Sequence, residues 1–303
     1  MSIPNIFTTT LVGVVTLPAI VLAFLLPLRT SEGRHEPSRQ WVKYAKVAFG
    51  FYAMFNVLSI VMKSMTIAQI RSNTYERYSS VAMQALNSIN IPIAHVAAAA
   101  VFLSLFYLAR AFTLLRVDET SWRFRIGRKC ALGAFIWMCL GSVTVMCLSI
   151  SIWAVWLTDD GSRPSRDRFQ YANMRNLAAF SINMALYVTH IICAIGVMVY
   201  IVKARKKVLG NSLHKASNLM LTCGILWLIR NAWLLVYIIL SNFAPTFFYA
   251  YDYTMGWFLI LDVILDSYPM FVVLVLLYVL ATSNDMSEPG GQERPTKSMD
   301  QAV

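Results

Sequence analysis

Three charged residues stand out because they fall inside apolar runs. Arg230 lies in WLIRNAWLLVYIIL, and Asp262 and Asp266 lie in FLILDVILDSYPMFVVLVLLYVLA. A charge at the centre of a bilayer costs at least about 2.5–3.5 kcal/mol on insertion scales, so each needs a partner. Asp262 and Asp266 are four apart, which puts them on one face of a helix. Counted in from the ends of two antiparallel helices, Arg230 and Asp266 reach a similar depth. The expectation is an Arg230–Asp266 ion pair between two helices, with Asp262 nearer the mouth, serving as a charge clamp or a ligand anchor. Pro269 follows three residues after Asp266 and removes a backbone donor, so a bend beside the acidic pair is expected.

Uncharged polar residues recur at helical spacing in other apolar runs. Tyr52, Asn56, Ser59 and Lys63 form one stripe, and Asn183, Tyr187 and His190 form another. Gln84, Asn87, Asn90 and His95 spread over a broader arc beside Pro92. Pointed inward, these faces could hydrogen-bond neighbouring helices or line a polar cavity. The cavity set is Tyr52, Asn56, Asn87, His95, Asn183, Tyr187 and His190.

Catalytic signatures are few. There is no phosphate-binding loop, nucleotide fingerprint, HExxH or nucleophile elbow. Only His95 and His190 are placed where a membrane haem would need paired histidines, and no lysine occupies the middle of the last apolar run as retinal would require. The DxxxD spacing of Asp262 and Asp266 is shared with membrane prenyltransferases, but those enzymes hold diphosphate and Mg²⁺ with two acidic clusters. Here the first five apolar runs contain no Asp or Glu. A cyclase using one carboxylic acid to protonate an alkene or epoxide needs less. The five cysteines lie in or beside apolar segments with no CxxC spacing, so neither a disulfide framework nor a zinc site is expected. No cofactor or metal is expected.

The elements that carry these residues follow from composition. The chain of 303 residues is 58% hydrophobic, and only 14% of it is charged, where a soluble domain carries about 25%. Seven apolar blocks are long enough to cross a bilayer. They run from about Thr9 to Leu28, Tyr44 to Met65, Val81 to Phe112, Ala131 to Leu157, Leu177 to Val202, Leu219 to Leu240 and Met255 to Thr282. The fold class is therefore all-α: an integral membrane seven-transmembrane-helix bundle over 1–282, with a disordered polar tail over 283–303. The uncharged start MSIPNIFTTT and the long first block predict a retained span rather than a cleaved signal.

Net charge is +11, but the Lys and Arg residues sit in short connectors, which argues for membrane orientation and against nucleic acid. They gather in the first, third and fifth connectors and the tail. The set runs from Arg29, Arg34, Arg39 and Lys43 through Arg110, Arg116, Arg123, Arg125, Arg128 and Lys129 to Lys203, Arg205, Lys206, Lys207 and Lys215. The positive-inside bias then places the N-terminus outside and the tail in the cytosol. These basic loops face anionic lipid and could also dock a cytosolic partner. The sixth connector has no Lys or Arg and is rich in aromatics (Phe247, Phe248, Tyr249, Tyr251, Tyr253, Trp257), as an interfacial belt or a lid would be.

The last two apolar blocks resemble the end of the fungal lipid-translocating exporters. That family likewise places an Arg in the sixth helix and an Asp-x-x-Pro-Met run in the seventh, here Arg230 and Asp266, Pro269 and Met270. The chain departs from the pattern after Arg230, where Tyr237 and its neighbours are uncharged, and at Ala281-Thr282-Ser283, where the family has His-Pro-Gly. A broader resemblance is to fungal receptor-like seven-helix proteins. The exporter resemblance implies binding or translocation of a lipid or other amphipathic small molecule. The alternatives are a receptor coupling an outside ligand to the basic inner loops, and a cyclase-like enzyme of terpenoid or lipid metabolism. In each case the chain is expected to be a multi-pass protein of the plasma membrane or an endomembrane.

Overall fold

The computed structural model describes residues 3–30, 39–72, 77–114, 122–157, 166–208, 214–243 and 258–283. The aromatic sixth connector, much of the basic connectors and the tail beyond residue 283 lie outside the described residues. Among the described residues there are no strands. The elements are α1 (Ile3–Arg29), α2 (Gln40–Ser72), α3 (Arg77–Leu114), α4 (Trp122–Leu157), α5 (Arg166–Val208), α6 (His214–Phe243) and α7 (Phe258–Thr282). Each contains a stretch long and apolar enough to cross a membrane, so the chain is built as a multi-pass membrane protein. At about 1.5 Å per residue α5, with 43 residues, runs about 65 Å and extends beyond a hydrocarbon core of about 30 Å.

The reason for helices is the solvent: in lipid every backbone N–H and C=O must be paired within its own segment. Side-chain contacts show how the helices alternate. Between α2 and α3, Ser104 donates to the Trp41 carbonyl, Asn90 to Ser59, and Thr66 to Met83. One numbering falls as the other rises, so this pair is antiparallel. The His95–His190 and Thr113–Tyr200 contacts rise together, so α3 and α5 are parallel. The contacts Cys223–Val273, Arg230–Asp266 and Trp233–Asp262 make α6 and α7 antiparallel.

The core lies around α3, which packs against α2, α4, α5 and α6 and is the most deeply buried of the seven spans. Its run Ala97, Ala98, Ala99 and Ala100 is buried throughout, and such small side chains let neighbouring backbones approach. Two glycines mark further close approaches. A Cβ at Gly141 would meet Leu186 Cδ2 at 2.8 Å, and one at Gly224 would meet Ile201 Cδ1 at 2.8 Å. The outer surface is apolar, with Leu17, Phe24, Leu140, Leu177 and Ile192 all largely exposed. In water that skin would be a liability, and against acyl chains it is what a span requires.

Candidate functional site

Polar side chains gather where α2, α3, α5, α6 and α7 meet. Arg230 is 4% exposed, and its Nη2 lies 2.8 Å from Asp266 Oδ1. This is an ion pair by distance, but Asp266 Oδ1 makes no aligned hydrogen bond, so the contact is Coulombic rather than a well-directed bridge. A guanidinium has five N–H donors. On Arg230 neither Nε nor Nη1 has a hydrogen-bond partner among the described residues. The guanidinium carbon stands 5.3 Å from the Trp227 ring centroid, within range of a cation–π contact. Arg230 and Asp266 lie 11 and 8 residues in from Ser241 and Phe258, the ends of their spans. At about 1.5 Å per residue both sit roughly 12–17 Å deep, inside the hydrocarbon.

The backbone of α7 explains how Asp266 is presented. Residues Val263–Ser267 form a π turn, closed by a bond from the Tyr268 N–H to the Val263 carbonyl. Pro269 follows at the start of the resumed α-helix. It has no N–H to offer the Leu265 carbonyl, which favours the wider turn just before it. The expected irregularity beside the acidic residues is therefore a π turn. The buried Tyr52 hydroxyl of α2 donates to the Ser267 carbonyl at 2.7 Å, tying α2 to this turn. One turn nearer the end of the bundle, Trp233 Nε1 donates to Asp262 Oδ1 at 3.1 Å. Both carboxylates thus face α6, each with its own partner there. Lys63 of α2 is close enough to Asp262 for their charges to interact.

A second group joins α3 to α5. His95 Nε2 is 2.9 Å from Asn183 Oδ1, and His95 Nδ1 is 3.1 Å from His190 Nε2. The rings of His95 and His190 stack with centroids 5.3 Å apart, and Tyr187 meets His95 edge-on at 5.0 Å. The Asn183 amide is placed with its oxygen toward His95, and an amide oxygen can only accept, so in this orientation His95 carries its proton on Nε2. For two neutral imidazoles, His95 Nδ1 is then the acceptor and His190 Nε2 the donor. That leaves His190 Nδ1 as a bare acceptor, and it is buried with no partner among the described residues. The charge of Arg230 reaches Tyr52, His95, Tyr187 and His190, so the two groups form one electrostatic cluster.

The α2 stripe completes it. Asn56 is fully buried and gives its amide to the Tyr52 carbonyl at 2.9 Å, and its Oδ1 has no partner among the described residues. Asn90 donates to Ser59 at 3.0 Å. Asn87 does not join: it is exposed. Ser88 and His95 share the inward face of α3, and Asn87 is turned about 100° from Ser88. Three residues that the stripes do not suggest also belong here: Trp227, Asn231 and Trp233. Trp227 and Asn231 are buried, and their Nε1 and Oδ1 have no partner among the described residues. With Arg230 they make up the buried stripe of α6, and reading that helix for its inward face is the signal that finds them.

A shallow depression of about 620 Å³ at the start of α5 is lined by Gln170, Tyr171, Asn173, Met174 and Leu177. Among the described residues its lining comes from one helix and includes none of the polar cluster, so it is a surface feature. No three His, Cys, Asp or Glu side chains of the described residues converge as a metal ion would need. What the cluster offers is hydrogen bonding and charge within a membrane-spanning bundle. Comparison of the chain with protein-family models, with curated proteins and with solved structures returned no match.

Proposed function

We propose that this multi-pass membrane protein binds, and by alternating exposure moves, a lipid or other amphipathic small molecule whose polar head docks at the Arg230 cluster. The observation that carries the reading is the set of buried polar atoms of the cluster that have no partner among the described residues: Arg230 Nε and Nη1, Trp227 Nε1, Asn56 Oδ1, Asn231 Oδ1 and His190 Nδ1. Left bare, each costs about 1–3 kcal/mol, a sum comparable with the whole stability of a domain, about 5–15 kcal/mol. A ligand head that reaches them would satisfy them. A molecule that reaches this depth through the bilayer is apolar over most of its surface, which makes it an amphiphile. The fungal lipid-exporter resemblance of the last two helices points to the same class. With the N-terminus outside, as the basic connectors argue, the Arg230–Asp266 pair lies nearer the outer ends of α6 and α7 than the cytosolic ones.

Native mass spectrometry of the gently purified protein tests this, with wild type beside the paired Arg230→Gln/Asp266→Asn variant, which removes both charges together. The expected result is a specific small amphiphile carried by wild type and lost from the variant. Two equally stable proteins that carry the same lipids would make the ion pair an architectural clamp and favour a receptor reading.

A further inference from the structure

An arginine in a membrane site suggests an acidic ligand, but the groups around Arg230 do not match one. Its charge is already answered by Asp266 at 2.8 Å, and Lys63 stands near Asp262. Among the described residues, the other titratable side chains whose fields meet these four are Tyr52 on α2, His95 on α3, Tyr187 and His190 on α5 and Tyr237 on α6. With those in their uncharged forms, two cations face two anions and the cluster is neutral. The unpaired buried atoms are also mixed. Among the described residues, Arg230 Nε and Nη1 and Trp227 Nε1 are donors, Asn56 Oδ1, Asn231 Oδ1 and Asp266 Oδ1 are acceptors, and His190 Nδ1 is an acceptor in the tautomer given above.

We infer that the head this site takes is an uncharged hydroxyl, that of a long-chain or isoprenoid alcohol, which accepts from Arg230 or Trp227 and donates to Asn56 or His190. The inference rests on the reading of the cluster as an amphiphile site and adds the chemistry of its head. A hydroxyl brings one donor and two lone pairs, so it can satisfy both kinds of bare atom. A carboxylate or phosphate offers acceptors alone. It would leave the bare acceptors unpaired and bring an unanswered negative charge beside Asp262 and Asp266, where low dielectric makes like charges costly.

The test uses the full chain in phosphatidylcholine nanodiscs and two probes with the same tail, oleyl alcohol and oleate, titrated at neutral pH with occupancy read by native mass spectrometry. Oleyl alcohol is expected to bind at least about tenfold more tightly than oleate, the equivalent of one lost hydrogen bond to a buried group. In Asn56→Leu and His190→Phe, each of which removes one acceptor, the alcohol should weaken several-fold with oleate unchanged. Thermal unfolding of each variant checks that it is folded, and the wild-type ratio of the two probes decides the matter even where a variant fails. Oleate binding as tightly as the alcohol, or more tightly, overturns the hydroxyl assignment and leaves the amphiphile site standing. Neither probe binding to a wild-type protein that also carries no co-purified amphiphile overturns both.

Discussion

Arg230 and Asp266 put a buried charge pair between α6 and α7, with one close contact and most of the guanidinium donors unengaged among the described residues. Removing one member of a buried pair strands the other, which costs about 3–5 kcal/mol. Arg230→Ala and Asp266→Ala are each expected to destabilise the protein by that order. The double variant should cost well below the sum, because the second change relieves the charge left by the first. The check is a double-mutant cycle on reversible unfolding in mild detergent. A coupling energy no larger than the roughly 0.6 kcal/mol typical of interhelical hydrogen bonds in membranes would show that the pair is not an energetic unit. At this scale the sequence is partly legible. A charge within a span calls for a partner, and counting from the span ends brings Arg230 and Asp266 to one depth. The bare Nδ1 of His190 is not legible. It follows from a tautomer that Asn183, on the same helix as His190, imposes through His95 on another.

Helix α7 is set by its π turn and α6 by its closeness to α5. The π turn at Val263–Ser267 changes the angular step just where Asp266 lies, yet both carboxylates still face α6. Pro269 marks that something irregular occurs, while the form it takes is decided by the packing, including the Tyr52 hydroxyl on the Ser267 carbonyl. The α5–α6 contact depends on Gly224, where an added Cβ would meet Ile201 Cδ1 at 2.8 Å and Met198 Sδ at 3.1 Å. Those atoms are the ends of flexible side chains, so alanine is tolerable there and a branched residue is not. Gly224→Val should cost about 1–3 kcal/mol by overpacking. At Gly50, where nothing lies within 4 Å of an added Cβ, Gly50→Ala should be neutral or stabilise by up to about 1 kcal/mol. Unfolding temperatures of the two variants check the contrast, and equal effects would contradict the packing assigned to Gly224.

The whole molecule is a bundle turned outward to lipid, with α3 at its centre and a polar cluster enclosed between five helices. Its proposed orientation rests on the basic residues alone. An acceptor Asn-x-Ser/Thr tag fused ahead of Met1 is expected to be glycosylated in microsomes, and the same tag after Val303 is not. The chain has no sequon of its own to confuse the readout. Glycosylation of only the C-terminal tag would invert the topology and put the charge pair nearer the cytosol.

The sequence by itself determined the number of apolar helices and which charges fall within them, while several helices run well past the expected spans, α4 starting at Trp122 and α5 at Arg166. The number and the charges follow from hydropathy and length, which are local. It left open which polar stripes meet, and it turned Asn87 inward where the structure leaves that side chain exposed. A stripe says only that a face is polar. Which neighbour it meets depends on how the helices are arranged around α3, and that arrangement comes from packing at small residues such as Ala97–Ala100, Gly141 and Gly224. The tertiary structure alone joined α3 to α5 through His95 and His190 and buried Trp227 and Asn231 on the same side of α6 as Arg230. These are relations between segments far apart in the chain, and no single segment contains them.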